Sequence, residues 1–164
     1  MLLWFGAPAA LLFLLLGAVN YLQVRRTVFP LNEELSREVL AALFGPGDGC
    51  RFTMGRVPIG ANDYALEWYS HDETDGDLDM EHFSIERDHA YLLPYIKAAM
   101  AQQPGLWLFA SPWSPPTWMK THKVFNYGTM RQDPAVLDAL ALYFLKFVRA
   151  YRAEGVDVRQ VHVQ

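Results

Sequence analysis

The sequence has almost no cysteine, no excess of positive charge and no glycine-rich turn after any of its short apolar runs. Cys50 is the only cysteine among 164 residues, which excludes an internal disulfide framework and a cysteine-rich zinc site. Lys and Arg number 14 against 18 Asp and Glu, a net charge of −4, so no basic surface is expected and nucleic acid is excluded as a partner. The missing glycine-rich turn argues against a dinucleotide site, and we expect no cofactor.

Charged side chains are also absent from residues 1–24, which contain no Asp, Glu, Lys or Arg. This apolar segment is long enough to cross a bilayer, and Arg25 and Arg26 follow it. Three interpretations remain open: a membrane anchor or uncleaved signal, a cleaved signal peptide, or a misassigned start or buried segment of a larger fold. The expected location is therefore membrane-associated or secreted, with possible membrane association through residues 1–24.

Three apolar runs in the remaining chain predict buried strands, at residues 52–59, 106–110 and 158–163. Helical patterns lie between them, and strand–helix alternation implies a parallel sheet with crossover helices. Long loops after the strands favour an α/β fold of the partial (β/α)8 TIM barrel type, with about three strands and their helices. A doubly wound sheet is the alternative. Since a whole barrel needs about 250 residues, residues 31–164 would form an incomplete barrel domain.

Each predicted helix has a recognisable start and an apolar face. The first begins at Asn32, and its face contains Leu35, Val39, Leu40 and Leu43. The second begins at Ser84 or Asp88, with Pro94 as a kink or as part of its first turn. The third begins at Asp133-Pro134, and its expected buried stripe is Leu137, Leu140, Phe144, Phe147, Val148 and Tyr151. Residues 62–81 are polar and aperiodic, which predicts a long loop.

The first strand and its loop contain two candidate site residues. Arg56 lies within an apolar strand, where a guanidinium is costly unless it is paired. It therefore either forms a structural ion pair or orients a catalytic carboxylate, and both can hold. Asp63 comes just after the strand, where a carboxylate either accepts hydrogen bonds from two sugar hydroxyls or forms an Asx turn.

The second strand leads into a stiff, proline-rich loop with two tryptophans. Trp118 is expected to lie in the core, whereas Trp113, directly after the strand, suits a binding surface. An indole offers an apolar face to sugar C–H groups and one N–H donor to a hydroxyl. In the preceding loop His71, Asp72, Glu73 and Asp75 are interpreted as a solvated acidic segment, and no metal site is predicted.

Several of these motifs together resemble glycoside hydrolase family 30 of the glucosylceramidase (glucocerebrosidase) type. Gly-Arg-Val-Pro-Ile at residues 55–59, followed by Asn-Asp-Tyr at residues 62–64, is similar to the second barrel strand and loop of that family. Ala-Ser-Pro-Trp-Ser-Pro-Pro-Thr-Trp-Met-Lys-Thr at residues 110–121 is the best-matched and most specific block. The acidic loop with residues 82–85 and the segment 143–147 also match, so the resemblance covers residues 31–164.

The resemblance implies a TIM-barrel hydrolase that cleaves the β-glucosidic bond of glucosylceramide or a related β-glucoside with retention. By that resemblance Asp63 and Trp113 bind the glucose, and Arg56 supports the catalytic centre. The family acid/base follows the fourth barrel strand and the nucleophile lies further on, so both are expected beyond Gln164. The sequence departs from the family at Asn62, where a cysteine is frequent, and in lacking the usual first strand.

Two functions are therefore carried forward. The first is a fragment of a retaining β-glucosidase or glucosylceramidase with the sugar-binding loops and neither catalytic glutamate, inactive by itself. The second is a membrane-tethered, non-enzymatic protein that binds a carbohydrate or another partner.

Overall fold

The computed structural model describes residues 34–163 of the chain. The predicted start of the first helix at Asn32 and the apolar segment 1–24 lie outside the described residues. Within the described part no helix combines the length and apolar character needed to cross a bilayer.

Three parallel strands form one sheet in the order β1 (Met54–Ile59), β2 (Trp107–Pro112) and β3 (Val158–Val161). The register pairs Met54 with Trp107 and Ile59 with Pro112, and an irregularity follows Leu108 where β2 pairs with β3. The predicted partial barrel with three strands is confirmed, and the loops after β1 and β2 leave the same edge of the sheet.

Helices connect the strands in the predicted order. Helix α1 covers residues 34–44, followed by α2 (Glu86–Ala90), α3 (Leu92–Gln102) and α4 (Pro134–Ala153). The predicted second helix is divided at Tyr91, whose φ of −126° and ψ of −57° interrupt the helix, and Pro94 lies in the first turn of α3. The Asp133 side chain caps α4 by accepting a hydrogen bond from the Ala135 N–H at 3.0 Å.

The core lies between one face of the sheet and the helices. Val57 and Ile59 of β1 and Leu108 and Ala110 of β2 are buried, whereas Arg56 on the alternate face is exposed. Alternation along a strand sends successive side chains to opposite faces, so Arg56 lies on the face that α3 and α4 do not cover.

The predicted stripe of α4 is confirmed for Phe147 and Tyr151, which are buried, and wrong for Leu137, which is exposed. Three other predicted members, Leu140, Phe144 and Val148, are partly buried against the core. The fully buried side chains that the prediction left out are Val136, Ala139 and Tyr143. Tyr143 and Tyr151 are buried with their hydroxyls hydrogen-bonded. Tyr143 accepts a hydrogen bond from the His71 N–H at 3.2 Å, and Tyr151 donates one to Asp88 at 2.6 Å.

The apolar face predicted for α1 is only partly buried. Leu35 and Val39 are exposed, and Leu40 and Leu43 are of intermediate exposure. Among residues 34–163, nothing covers the outer part of that face.

Candidate functional site

The carboxyl edge of the sheet brings together the loops that follow β1 and β2. Ile59 pairs with Pro112 at the ends of β1 and β2, so the two loops begin at adjacent positions. Gly60 follows β1 with a φ of +80°, and the chain then turns so that the Ala61 N–H donates to the Tyr69 carbonyl at 2.9 Å. This hydrogen bond closes the base of a loop that contains Asp63.

Asp63 lies exposed on that loop. The Asx turn considered for Asp63 is formed by its neighbour, since the Asn62 Oδ1 accepts from the Tyr64 N–H at 3.0 Å. Within the described residues no hydrogen bond or ion pair engages the Asp63 carboxylate. Asp63 therefore has both oxygens available to a ligand.

Trp113 lies one residue past β2 and is 42% exposed, in contrast to the buried Trp118. It lines a cavity of about 120 Å³ together with Met130, Leu140 and Phe144. The expected core position of Trp118 is confirmed, and its Nε1–H donates to the Asp72 carbonyl at 3.2 Å.

Arg56 and Trp113 are in contact. The Arg56 Cζ lies 5.9 Å from the centroid of the Trp113 ring, within the range of a cation–π interaction. No carboxylate within residues 34–163 forms a salt bridge with Arg56, so the structural ion pair does not occur there, and its role toward a catalytic carboxylate stays a prediction. The guanidinium therefore has its donors open toward the exposed face of the sheet.

A second cavity, of about 230 Å³, lies beside the same loop but on the side of α2 and α3. Asn62, Tyr64, Tyr69, Arg87 and Tyr91 contribute to its wall. Asp63 and Trp113 are not among the residues that line it. The structure thus places Asp63 and Trp113 at one edge of the sheet, and the cavity that contains Trp113 is not lined by Asp63.

Lys120 connects two parts of the proline-rich loop region by hydrogen bonds. Its side chain is buried, and Nζ donates to the Ser114 Oγ at 3.2 Å and to the Phe125 carbonyl at 2.7 Å. Burial lowers the pKa of this ammonium group from its usual value. Sequence reasoning missed Lys120, and the signal available was its place at the end of the stiff proline–tryptophan block.

The acidic loop is less solvated than expected. His71 and Asp72 are buried, and the Glu73 carboxylate accepts hydrogen bonds from Thr117 and Ser70. The prediction of a solvated segment is therefore wrong for His71 and Asp72, because their backbone and side chains join the loop to the core. In residues 34–163 no group of three metal-ligating side chains occurs.

Beneath the loop lies a buried network centred on Asp88. Its carboxylate accepts from the Tyr69 hydroxyl at 3.1 Å and from the Tyr151 hydroxyl at 2.6 Å. His71 Nδ1 lies 3.2 Å from the Ser84 carbonyl, which fixes a proton on Nδ1, and Nε2 lies 3.6 Å from Asp88. Burial lowers the pKa of His71, while burial and the Asp88 charge raise the pKa of Tyr69 to about 12.

Known proteins similar to this chain include several that are named glucosylceramidases. Over 137 residues the chain is 38% identical to the Caenorhabditis elegans protein named Putative glucosylceramidase 3, covering 82% of this chain and 26% of that protein. It is 32% identical over 135 residues to mouse lysosomal acid glucosylceramidase, covering 79% and 26%. The chain therefore spans about a quarter of the length of these relatives.

Solved structures are also similar to this chain. The crystal structure of SrfJ from Salmonella typhimurium superposes with a TM-score of 0.71 at 31% identity, covering 79% of this chain and 28% of that one. A solved endo-β1,6-glucanase superposes with a TM-score of 0.67 at 30% identity, covering 78% and 29%. The sequence model of the glycosyl hydrolase family 30 TIM-barrel domain matches residues 25–164, and the chain belongs to this family.

Proposed function

We propose that this chain forms the sugar-binding part of a retaining β-glucosidase of the glucosylceramidase type. The observation that carries the proposal is the contact of Arg56 with Trp113 at the edge of the sheet from which the Asp63 loop also departs. An exposed carboxylate, an indole and a guanidinium at one strand edge suit a neutral polyol: the carboxylate accepts from hydroxyls and the indole covers C–H groups.

In this proposal Asp63 and Trp113 bind the glucose of a β-glucoside or glucosylceramide, and Arg56 supports the centre where the bond is cleaved. Retention requires an acid that protonates the leaving oxygen and a carboxylate that attacks the anomeric carbon, about 5–5.5 Å apart. We assign neither role to a residue of this chain and propose that both glutamates lie beyond Gln164. The chain by itself then binds a β-glucoside without hydrolysing it.

Binding is tested by titrating the purified chain with methyl β-D-glucoside and following the ligand by saturation-transfer NMR. Asp63→Asn removes a charged acceptor, and we expect about tenfold weaker binding or more. Trp113→Ala removes the indole face, with an expected loss of a similar size. Asp48→Asn changes another exposed aspartate, before β1, and serves as the matched control with unchanged binding. Equal binding by all four proteins would contradict the proposed glucose site.

Hydrolysis is tested separately with a chromogenic β-glucoside. We expect release of the chromophore at the rate of the buffer alone. The proposal that both catalytic carboxylates lie elsewhere would be contradicted by a rate above that of the buffer that is lost when a single glutamate of this chain is substituted.

A further inference from the structure

Two loops of the candidate site meet at a stacked pair of aromatic rings. Trp68, on the loop after β1, and Phe125, on the segment after the proline-rich loop, lie with ring centroids 5.7 Å apart and planes at 15°. The two residues are 57 positions apart in the sequence, so the contact joins separate parts of the site. We call this pair, together with the exposed apolar side chains on the same two segments, the aromatic rim; its members are Tyr64, Leu66, Trp68, Val124, Phe125 and Tyr127.

The stack gives Trp68 a fixed orientation without burying it. Phe125 covers one face of the indole, yet the Trp68 side chain remains 51% exposed. An exposed apolar cluster of this kind indicates a binding surface, since solvent-facing tryptophan is costly unless a partner covers it. The free face of the indole is thus a flat surface that needs no rearrangement before a ring stacks on it.

Lys120 connects this surface to the glucose site. Its Nζ lies within hydrogen-bonding distance of both the Phe125 carbonyl and the Ser114 Oγ, and Ser114 directly follows Trp113. Since Lys120 is 7% exposed, this link is rigid and protected from water. Lys120 therefore joins the segment of Phe125, on which Trp68 stacks, to the residue that follows Trp113.

The net charge of the chain favours a neutral polar ligand over an anionic lipid surface. The chain bears a net charge of −4. Glu67, which precedes Trp68, is paired with Arg87 at 2.7 Å and adds no unpaired charge. Negative charge repels the anionic headgroups that attract peripheral proteins to membranes. Tyr64 and Tyr127 add hydroxyls that can donate to and accept from sugar hydroxyls. An exposed indole on segments that also carry phenol hydroxyls suits a pyranose ring.

We infer that Trp68 forms a second sugar subsite, which takes the ring attached to the glucose bound at Trp113. The inference rests on the proposed function and narrows it. The group attached to the glucose is then a second sugar ring, and the ligand is a β-linked oligosaccharide rather than a glucose linked directly to a lipid. Trp68 supplies the stacking face, Phe125 holds the indole and Lys120 sets its position relative to Trp113.

Dissociation constants for two ligands test the subsite: methyl β-D-glucoside and the methyl glycoside of a β-linked glucose disaccharide. We expect the wild-type chain to bind the disaccharide about fivefold to tenfold more tightly than the monosaccharide. Trp68→Ala should abolish that difference and leave monosaccharide binding unchanged, and Trp68→Phe should restore part of it. Tyr95→Ala is the matched control, since Tyr95 is 53% exposed and lies on α3, away from the rim.

The outcomes of these binding measurements separate the subsite from the proposed glucose site. Equal affinity of the wild-type chain for the two ligands, or an unchanged disaccharide affinity in a folded Trp68→Ala variant, overturns the subsite. Absence of monosaccharide binding with Trp68-dependent disaccharide binding overturns the proposed glucose site and retains the subsite. If neither the monosaccharide nor the disaccharide binds, the proposed glucose site and the subsite are both overturned. Cosedimentation with phosphatidylcholine vesicles that is lost in Trp68→Ala, with no preference for the disaccharide, assigns the rim to a lipid surface and overturns the inference.

Discussion

The Arg56 guanidinium lies over the Trp113 indole, with Cζ 5.9 Å from the ring centroid, and so joins β1 to the residue that follows β2. Both side chains are exposed, so neither is held there by burial. The contact keeps a positive charge beside the indole that follows β2.

Replacing Arg56 by Met retains much of the side-chain length and removes the charge. At an exposed site a cation–π contact contributes about 0.5–1 kcal/mol, so we expect binding of methyl β-D-glucoside to weaken about twofold to fivefold. The measurement is the ligand titration used for Asp63 and Trp113. Arg152→Met, on the exposed end of α4, is the control. Unchanged affinity in Arg56→Met would show that the guanidinium does not orient the indole for the sugar.

Tyr151 and Asp88 form a short buried hydrogen bond, and its loss should destabilise the chain. Tyr151→Phe leaves one Asp88 oxygen without this donor in the interior, with an expected loss of about 1–3 kcal/mol in the free energy of unfolding. Urea unfolding followed by circular dichroism measures it. Tyr127→Phe removes a hydroxyl from a side chain that is 76% exposed and should change stability by less than about 0.5 kcal/mol. Equal values for the two variants would rule out the role given to Asp88.

His71 should make stability fall in mild acid. Burial lowers its folded-state pKa below the usual value of about 6.5, so the unfolded chain binds the proton more strongly. The contribution is complete above about pH 6.5 and is lost as the pH falls toward the folded-state pKa, with a slope of at most about 1.4 kcal/mol per pH unit. The exposed His89 acts weakly in the opposite direction, since Glu154 raises its pKa.

Unfolding free energies at pH 7, 6 and 5 test this dependence. His71→Asn keeps a donor near the position of Nδ1 and does not titrate, so its stability should vary less with pH than that of the wild-type chain. His122→Asn changes an exposed histidine and should retain the wild-type slope. A wild-type slope in His71→Asn would assign the acid sensitivity to other groups.

Two glycines with the same backbone conformation should respond differently to alanine. Gly60 and Gly76 have φ values of +80° and +78°, so alanine is strained at both. A Cβ at Gly60 would lie 3.0 Å from the Tyr69 carbonyl oxygen, whereas at Gly76 it would meet nothing within 4 Å. We expect Gly76→Ala to cost about 1 kcal/mol and Gly60→Ala clearly more, measured by urea unfolding. The reverse order would contradict the close approach at Gly60.

Local signals in the sequence were sufficient for the order of the strands and for the start of α4. The Asp133 cap is visible because a cap and the helix it begins are neighbours in the chain. Tyr143 was left out of the predicted α4 stripe because tyrosine is polar in the sequence, and it becomes buried with its hydroxyl bonded to His71, more than 60 positions away. Lys120 and the Trp68–Phe125 stack were missed for a similar reason, since these contacts depend on how two loops meet after folding.

The hydrogen bond from Ala61 to Tyr69 separates the tip of the first loop from the sheet beneath it. Because this hydrogen bond ties the loop at its base, we expect substitutions at residues 62–68 to change the exposed surface of the loop while the strands keep their register. The tip of the loop can thus vary without disturbing the parallel pairing of β1 and β2.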